Sequence, residues 1–213
     1  MTIKTFAFNP FQTNCYVCHD GKAAVIIDPG CYTQDEVDLL LGYVEAEDLE
    51  VQQLLLTHGH LDHIFGCKAI AEAFGMGFWM HAQDEPLLKR ALNDAGRYGV
   101  TIAPPPTPAG FLDERDRIQF GKADWEIRFA PGHSPGSICF YDAANGFVIA
   151  GDVLFQGSVG RTDLWRGSMP ELLRSIFEQL MTLDDNVKVY PGHGPATTIG
   201  AERRFNPFLT ESL

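Results

Sequence analysis

Thr57-His58-Gly59-His60-Leu61-Asp62-His63 places four candidate metal ligands within a span of six residues. The apolar run 51–56 comes directly before it, and a run of that length predicts a buried strand. The ligands would therefore lie where a strand leaves its sheet, with a rigid element behind them. Imidazole and carboxylate groups together are the usual ligands of zinc-like ions, so the stretch predicts a metal site.

The spacing inside this stretch suits two metal ions. His58 and His60 are two residues apart and can converge on one ion. Asp62 and His63 are adjacent, so their side chains diverge in regular structure, which suits a second ion beside the first. Gly59 removes a side chain between the ligands and permits an unusual backbone angle.

Composition limits the class of protein. The chain has 213 residues, of which 45% are hydrophobic, and this is enough for a sizeable core. Because no Gly/Ser-rich or charged linker divides it, we expect a single domain over residues 1–213. Sixteen basic and 28 acidic residues give a formal net charge of -12, which argues against binding to a nucleic-acid backbone.

The sequence also indicates a compartment. The N-terminus lacks a basic segment followed by an apolar one, and no stretch approaches the length of a membrane span. An odd number of cysteines, five, favours reduced thiols. We therefore expect a cytoplasmic protein that binds neither nucleic acid nor membranes. The sequence does not indicate the oligomeric state.

Two cysteine positions need comment. The stretch Cys15-Tyr16-Val17-Cys18-His19 formally matches a haem-attachment motif. Its apolar, strand-like surroundings and the missing export signal favour buried thiols instead. Cys31 follows Pro29-Gly30, and we expect it to be an exposed thiol near the mouth of the site.

Hydrophobic periodicity predicts a chain that mixes strands and helices. Strands are predicted at 3–8, 15–18, 23–27, 51–56, 77–81, 118–120, 125–130, 138–141, 147–150 and 187–190. Capping boxes at Thr33–Glu36 and Ser168–Glu171 predict the starts of two helices. Further helices are predicted at 64–74 and 85–95, the second with Leu87, Leu88, Ala91 and Leu92 on one side. The proline-rich segment 103–110 is predicted to be an ordered surface loop.

Three more candidate ligands follow predicted strands in the second half of the chain. His133 and His193 each lie in a Pro-Gly-His turn, and Asp152 follows the apolar run 148–150. Proline and glycine fix and permit the sharp bends that aim a side chain into a site. We expect these three residues to join the ligands of the first cluster. His19 and His81 are expected to be structural.

In their order and their positions at strand ends, these residues resemble the metallo-β-lactamase superfamily over residues 15–195. The resemblance implies a four-layer αβ/βα sandwich, an α/β fold with two mixed β-sheets flanked by helices and a dinuclear site along one edge. It also implies a distribution of the ligands. The first metal would be held by His58, His60 and His133, the second by Asp62, His63 and His193, and Asp152 would bridge both.

Within that superfamily, the stretches 157–163 and 191–195 resemble the glyoxalase II (hydroxyacylglutathione hydrolase) group. The ending 202–209 is similar to its short bacterial branch. Only twenty residues follow His193, so we expect the C-terminal helical domain that holds glutathione in the longer enzymes to be missing. The expected substrate is therefore a small-molecule thioester, S-lactoylglutathione or a related acyl-thiol.

The predicted chemistry is hydrolysis. Two metal ions about 3.5–4 Å apart can share a water and generate a hydroxide near neutral pH, which would attack the thioester carbonyl. Asp62 could orient that hydroxide. Arg161 and Arg166 could bind a substrate carboxylate as a fork. Thr57 and Asp28 are candidates to hold the ligand imidazoles by their second nitrogens.

Several alternatives stay open. A related group, the persulfide dioxygenases, would use one iron ion held by His58, His133 and Asp152. A β-lactamase is disfavoured by the missing export signal and a nuclease by the charge. A purely structural or storage site would need a closed ligand shell. Zinc is the expected metal, although iron and manganese accept the same ligands.

Overall fold

The structure, a computed structural model, describes residues 1–210. It divides into two compact units. The first contains residues 1–112 and 119–123, and the second contains residues 113–118 and the described residues from 124 to 210.

A six-stranded mixed sheet forms the centre of the first unit. In spatial order it consists of β1 (Thr2–Phe8), β2 (Thr13–Asp20), β3 (Ala23–Ile27), β4 (Glu50–Leu55), β5 (Phe78–His81) and β6 (Gly110–Leu112). The first three strands are antiparallel, and β3 to β6 pair in parallel. The β3 strand is apolar throughout and is buried over its last four residues, as a strand covered on both faces should be.

Four helices belong to this unit: α1 (Gln34–Ala46), α2 (Leu61–Ile64), α3 (Cys67–Phe74) and α4 (Glu85–Tyr98). The predicted capping box of α1 is confirmed, since Thr33 and Glu36 exchange side-chain-to-backbone hydrogen bonds of 3.3 and 3.2 Å. The apolar faces of all four helices contribute to one core cluster with the sheet.

The single helix predicted over 64–74 is wrong, because the chain forms α2 and α3 with a break at Gly66. The backbone packs tightly there. The Gly66 amide donates a 2.8 Å hydrogen bond to the carbonyl of Pro29, and a Cβ at Gly66 would lie 2.6 Å from that oxygen. The predicted stop at Gly75 is confirmed, since this residue ends α3 at a φ of 62°.

Two other expectations for this unit need correction, and one of its strands was not predicted. Leu92 is 52% exposed, and Ala95 takes its place on the buried face of α4. The strand β6 was not predicted, because its three residues are too few to show a period. Cys31 is only 2% exposed and belongs to the core. Burial raises the pKa of its thiol to about 12.

The second large sheet is also mixed. The strands in this half are β7 (Arg117–Phe120), β8 (Ala123–Phe129), β9 (Ile138–Asp142), β10 (Phe147–Gly151), β11 (Leu154–Phe155), β12 (Ser158–Val159), β13 (Lys188–Pro191) and β14 (Thr197–Thr198). The spatial order is β14-β13-β10-β9-β8-β7, and β11 and β12 form a separate hairpin. The β10 and β13 strands run parallel, whereas the predicted β9–β10 hairpin is antiparallel.

Up to residue 210, the second unit has three α-helices: α5 (Met169–Ser175), α6 (Ile199–Phe205) and α7 (Pro207–Thr210). Ser168 caps α5 by accepting a hydrogen bond from the Glu171 amide at 3.4 Å, and α5 continues into a π-helical turn at Ile176–Leu180. The short elements β11, β12, β14, α6 and α7 were not predicted.

The fold class is confirmed as α/β with two large mixed sheets flanked by helices. Within residues 1–210, no helix combines the length and apolar character needed to span a membrane.

Candidate metal centre

The ligand stretch of the first unit starts at the carboxyl end of β4, as predicted. His58 and His63 are buried, and their ring centroids are 4.1 Å apart. The ring of His60 lies 4.9 Å from that of His58. The Nε2 atom of His63 lies 3.5 Å from the Oδ2 atom of Asp62. All four predicted ligands of this stretch therefore form one compact group.

A buried carboxylate orients two of these imidazoles. Asp28, which follows β3 at a φ of 51°, accepts hydrogen bonds from the Thr57 amide at 2.7 Å and the Thr57 hydroxyl at 2.6 Å. Its Oδ2 atom also lies 2.9 Å from Nδ1 of His63. Since the single Thr57 hydroxyl proton goes to Asp28, the 3.0 Å contact of that hydroxyl with Nδ1 of His58 requires His58 to donate.

These contacts fix the tautomers of both rings. With Nδ1 acting as the donor, Nε2 of His58 and of His63 is the nitrogen left to bind a metal ion. Thr57 and Asp28 were candidates for this orienting role, and the geometry places both of them in it.

The β1–β2 hairpin holds Asp62, a role that was not predicted. The Thr13 hydroxyl donates to Oδ2 of Asp62 at 2.7 Å, and the Asn9 amide side chain donates to the Asp62 carbonyl at 3.0 Å. Asn9 also donates to the carbonyl of Gly30 at 2.9 Å. Nothing in the local sequence around Asn9 indicates a contact with a residue 53 positions away.

Asp84 is a second supporting residue that was missed. It is fully buried, and its Oδ2 atom accepts a 2.8 Å hydrogen bond from the amide of Gly59, between two ligands. A Cβ at Gly59 would lie 3.1 Å from the Asp84 carbonyl oxygen, so the loop approaches this residue closely. The sequence indicates the importance of Gly59 but not that of Asp84, which lies 25 positions away.

In the second unit, His133, Asp152 and His193 come together as predicted. One carboxylate oxygen, Oδ2 of Asp152, lies 3.5 Å from Nε2 of His133 and 3.5 Å from Nε2 of His193. Two ligands bound at about 2.0–2.1 Å to one tetrahedral ion are about 3.4 Å apart. The two 3.5 Å contacts of Asp152 are therefore short enough for these side chains to be ligands of a common ion.

His133 is oriented by a backbone carbonyl. Its Nδ1 atom lies 2.8 Å from the carbonyl oxygen of Arg161, so Nδ1 donates and Nε2 is left for a metal. Gly160 makes this approach possible. A Cβ there would lie 1.9 Å from the Asp152 carbonyl oxygen and 3.1 Å from Nδ1 of His133.

The predicted substrate-binding arginines have other contacts. The guanidinium of Arg161 forms a fork with Asp163 at 2.7 and 2.6 Å, and these hydrogen bonds lower the pKa of Asp163 to about 2. Arg166 lies over the ring of Trp165, 5.6 Å from its centroid. Their role towards a substrate stays a prediction.

The two other histidines have structural contacts, in line with expectation. His19 lies 3.1 Å from the Gly21 carbonyl and 3.3 Å from the Tyr43 hydroxyl. His81 accepts a hydrogen bond from the Gln83 amide at 3.3 Å.

The donor set of each unit suits divalent metal ions. In His58, His63 and His133 the Nδ1 atom is already hydrogen-bonded, which leaves Nε2 for an ion. Imidazole nitrogens and carboxylate oxygens together are ligands that zinc, iron and manganese accept. The family model of the metallo-beta-lactamase superfamily matches residues 8–193. The chain belongs to the metallo-beta-lactamase superfamily.

Proteins similar to this one cover nearly the whole chain. The hydroxyacylglutathione hydrolase GloC of Haemophilus influenzae is 39% identical over an alignment of 217 positions, which covers 98% of each protein. The crystal structure of the BLEG-1 B3 metallo-beta-lactamase has a TM-score of 0.90 at 37% identity and covers 98% of this chain and 100% of its own. The structure of TTHA1623 in a di-iron-bound form has a TM-score of 0.88 at 39% identity, with coverages of 97% and 100%.

Proposed function

We propose that the ligands of the two units act together to hold two divalent metal ions. The proposal follows the superfamily pattern, with His58, His60 and His133 on the first ion, Asp62, His63 and His193 on the second, and Asp152 on both. The equal 3.5 Å distances from Asp152 to His133 and His193 support the bridging role. Zinc is our first choice of metal, and the di-iron form of TTHA1623 supports iron as the next.

The reaction we propose is hydrolysis of a thioester, S-lactoylglutathione or a related acyl-thiol. The observation that carries it is the 39% identity to the hydroxyacylglutathione hydrolase GloC over almost the full length of both chains. When bound, two divalent ions supply Lewis acidity towards a carbonyl oxygen and make a water molecule acidic enough to attack it near neutral pH.

The protein's own contribution is to fix its ligands and one carboxylate. Asp28 and Thr57 hold two imidazoles, and the Arg161 carbonyl holds a third. The Thr13 hydroxyl fixes Oδ2 of Asp62, so this carboxylate can orient the attacking water. A thiolate leaves without help from a strong acid. Because the attacking group is water, the reaction needs no serine or cysteine nucleophile.

Arg161 and Arg166 stay our candidates for a carboxylate on the substrate. A fork between guanidinium and carboxylate is the geometry expected for this recognition. Asp163 already occupies the fork of Arg161, so a substrate carboxylate has to displace an exposed aspartate there. Arg166 has no such competitor among the contacts described above, which makes it the more direct test.

The experiment is to load the protein with zinc and to measure release of thiol from a panel of acyl-glutathione and other acyl-thiol substrates. We expect S-lactoylglutathione to be cleaved, and an Asp152→Asn variant to lose nearly all of this activity. A metal-replete protein that releases no thiol from any member of the panel would rule out the proposed reaction.

The second candidate is oxidation of a persulfide with one iron ion. It is favoured by the Gly-Arg-Thr-Asp segment 160–163. The di-iron form of TTHA1623 supports iron as the metal but not a site for a single ion. An oxygen electrode with glutathione persulfide separates the two reactions, since iron-loaded protein that consumes no oxygen excludes oxidation. A chromogenic β-lactam belongs in the same panel because BLEG-1 is described as a B3 metallo-beta-lactamase.

We also propose the cytoplasm as the location of the protein. The support comes from the five cysteines, all of which lie in the described residues, are buried and carry reduced thiols.

A further inference from the structure

A buried carboxylate near the C-terminus has no part in the proposed reaction. Glu202 on α6 is 3% exposed. Its Oε1 atom accepts a 2.6 Å hydrogen bond from the Thr197 hydroxyl. Its Oε2 atom accepts from the Gly157 amide at 2.8 Å and from the Asn206 side-chain amide at 2.8 Å. A buried carboxylate with this many donors is held rigidly, since losing any partner leaves a buried polar group unsatisfied.

Asn206 extends these contacts to the same part of the chain. Its Nδ2 atom also donates to the carbonyl of Ser158 at 2.9 Å, and its Oδ1 atom accepts from the Phe208 amide at 3.1 Å. Glu202 and Asn206 therefore form hydrogen bonds with two adjacent residues, Gly157 and Ser158, at the turn of the β11–β12 hairpin. We call Glu202 and Asn206 the C-terminal clamp.

The clamped hairpin leads directly into the loop that orients a predicted metal ligand. Two residues after Ser158 comes Gly160, whose amide lies 3.5 Å from the Val153 carbonyl and whose Cα packs against Asp152. The next residue is Arg161, whose carbonyl oxygen lies 2.8 Å from Nδ1 of His133. The path from Glu202 to His133 thus runs through hydrogen bonds and five consecutive residues, 157–161.

We propose that the C-terminal clamp positions His133 for metal binding by fixing the segment 157–161. Glu202 and Asn206 are positioning residues, since they touch neither a predicted ligand nor a substrate. The inference rests on the metal site in the proposed function, but not on the identity of the reaction. It assigns a role to the helices α6 and α7.

The chemistry of the donors decides which substitutions break the clamp. A glutamine at 202 keeps one oxygen for Gly157 and Asn206, and its amide can donate to the Thr197 hydroxyl. Glu202→Met has a similar length and removes every acceptor. Glu178→Met removes an exposed carboxylate from the same unit and serves as the matched control.

The first measurement is hydrogen exchange of the metal-free protein. We expect E202M to raise exchange at residues 157–161 about tenfold or more relative to wild type, with the strands of the second sheet unchanged, and we expect E202Q and E178M to match wild type. Unchanged exchange at 157–161, or an equal rise throughout the second unit, would overturn the positioning role. If E202M does not fold, N206A is tested for the same local rise, since it removes the bridge between Glu202 and Ser158 and the Phe208 contact but leaves the hydrogen bonds of Glu202 to Gly157 and Thr197.

The second measurement is the affinity for Co²⁺ in competition with a chelator. Loss of an outer-shell partner costs about 10–100-fold in metal affinity, so we expect E202M to lose at least tenfold and E202Q to stay within about threefold of wild type. Equal affinities for E202M and E178M would contradict the inference. Neither readout needs thioester cleavage, so a wild-type protein that binds cobalt but cleaves no thioester refutes the proposed reaction and leaves the clamp standing.

Discussion

Oδ2 of Asp28 lies 2.9 Å from Nδ1 of His63, and both side chains are at most 1% exposed. The same carboxylate binds Thr57 through both of its oxygens. One residue at the end of β3 therefore controls the orientation of two imidazoles that follow β4. Because β3 and β4 are neighbouring parallel strands, their carboxyl ends lie side by side. Asp28, which follows β3, can therefore contact the ligand stretch that follows β4.

We expect Asp28→Asn to lower metal affinity about 10–100-fold. Asparagine tolerates the left-handed backbone at this position, so the fold should survive. The side-chain NH2 group of the new asparagine would face a hydrogen-bond donor on Thr57 or His63. The variant could therefore not keep all the contacts that Asp28 makes with these two residues. Chelator competition measures the loss. Asp35→Asn, an exposed change in α1, is the control and should leave affinity unchanged.

Removing the Thr13 hydroxyl should reduce activity without unfolding the protein. In Thr13→Val the buried side chain keeps its shape, but Oδ2 of Asp62 loses a 2.7 Å hydrogen bond. Hydrogen bonds to charged groups are worth about 1.5–3 kcal/mol, so we expect kcat/KM for the thioester to fall at least tenfold. Thr13→Ser keeps the hydroxyl and should retain most activity. Equal rates for the two variants would show that the contact is irrelevant.

Adding one methyl group at Gly160 should disturb the loop that carries the His133 partner. A Cβ there would lie 1.9 Å from the Asp152 carbonyl oxygen, so the backbone has to move. Overpacking of this kind costs about 1–3 kcal/mol, and metal affinity should fall with it. Denaturant unfolding of Gly160→Ala tests the first point. In Gly42→Ala, where nothing lies within 4 Å of the new methyl group, stability should rise slightly instead.

Buried thiols should make the protein less stable in alkali. Burial raises the pKa of Cys139 to about 12 from a usual value of 9.0. Below pH 9 the thiol is neutral in both the folded and unfolded states. As the pH rises above 9 the unfolded state loses the proton first, so folding becomes less favourable by about 1.4 kcal/mol per pH unit up to about pH 12.

The free energy of unfolding at pH 8 and pH 10 measures this effect. Cys139→Ala should reduce the difference between the two values by about 1.4 kcal/mol. The same argument applies to Cys31, whose thiol also titrates at about 12 when folded. A pH dependence identical in wild type and C139A would mean that the thiol ionises in the folded protein at its usual pKa.

The features that the sequence predicted correctly are those that a short segment of the chain determines by itself. The apolar run 23–27 became β3 with the expected bounds, and Thr33 with Glu36 capped α1. The ligand stretch 58–63 combines donor types that few other roles require. It could therefore be recognised without knowledge of the fold.

The features that were missed depend on contacts between distant residues. Thr13 reaches Asp62 across 49 positions, and Glu202 reaches Gly157 across 45, so neither role leaves a local pattern. Leu92 followed the apolar period of α4 but is exposed, because the buried face of the helix extends to Ala95 instead. The helical period predicts which residues lie on the same face of a helix. How much of that face is buried depends on how the helix packs against the rest of the protein.

The metal content of the purified protein tests the central claim most directly. Wild-type protein is loaded with zinc, dialysed to remove loosely bound ions and measured by elemental analysis against protein concentration. Seven imidazole and carboxylate ligands acting together predict about two zinc ions per chain. A content of one ion or none per folded chain would contradict the dinuclear site.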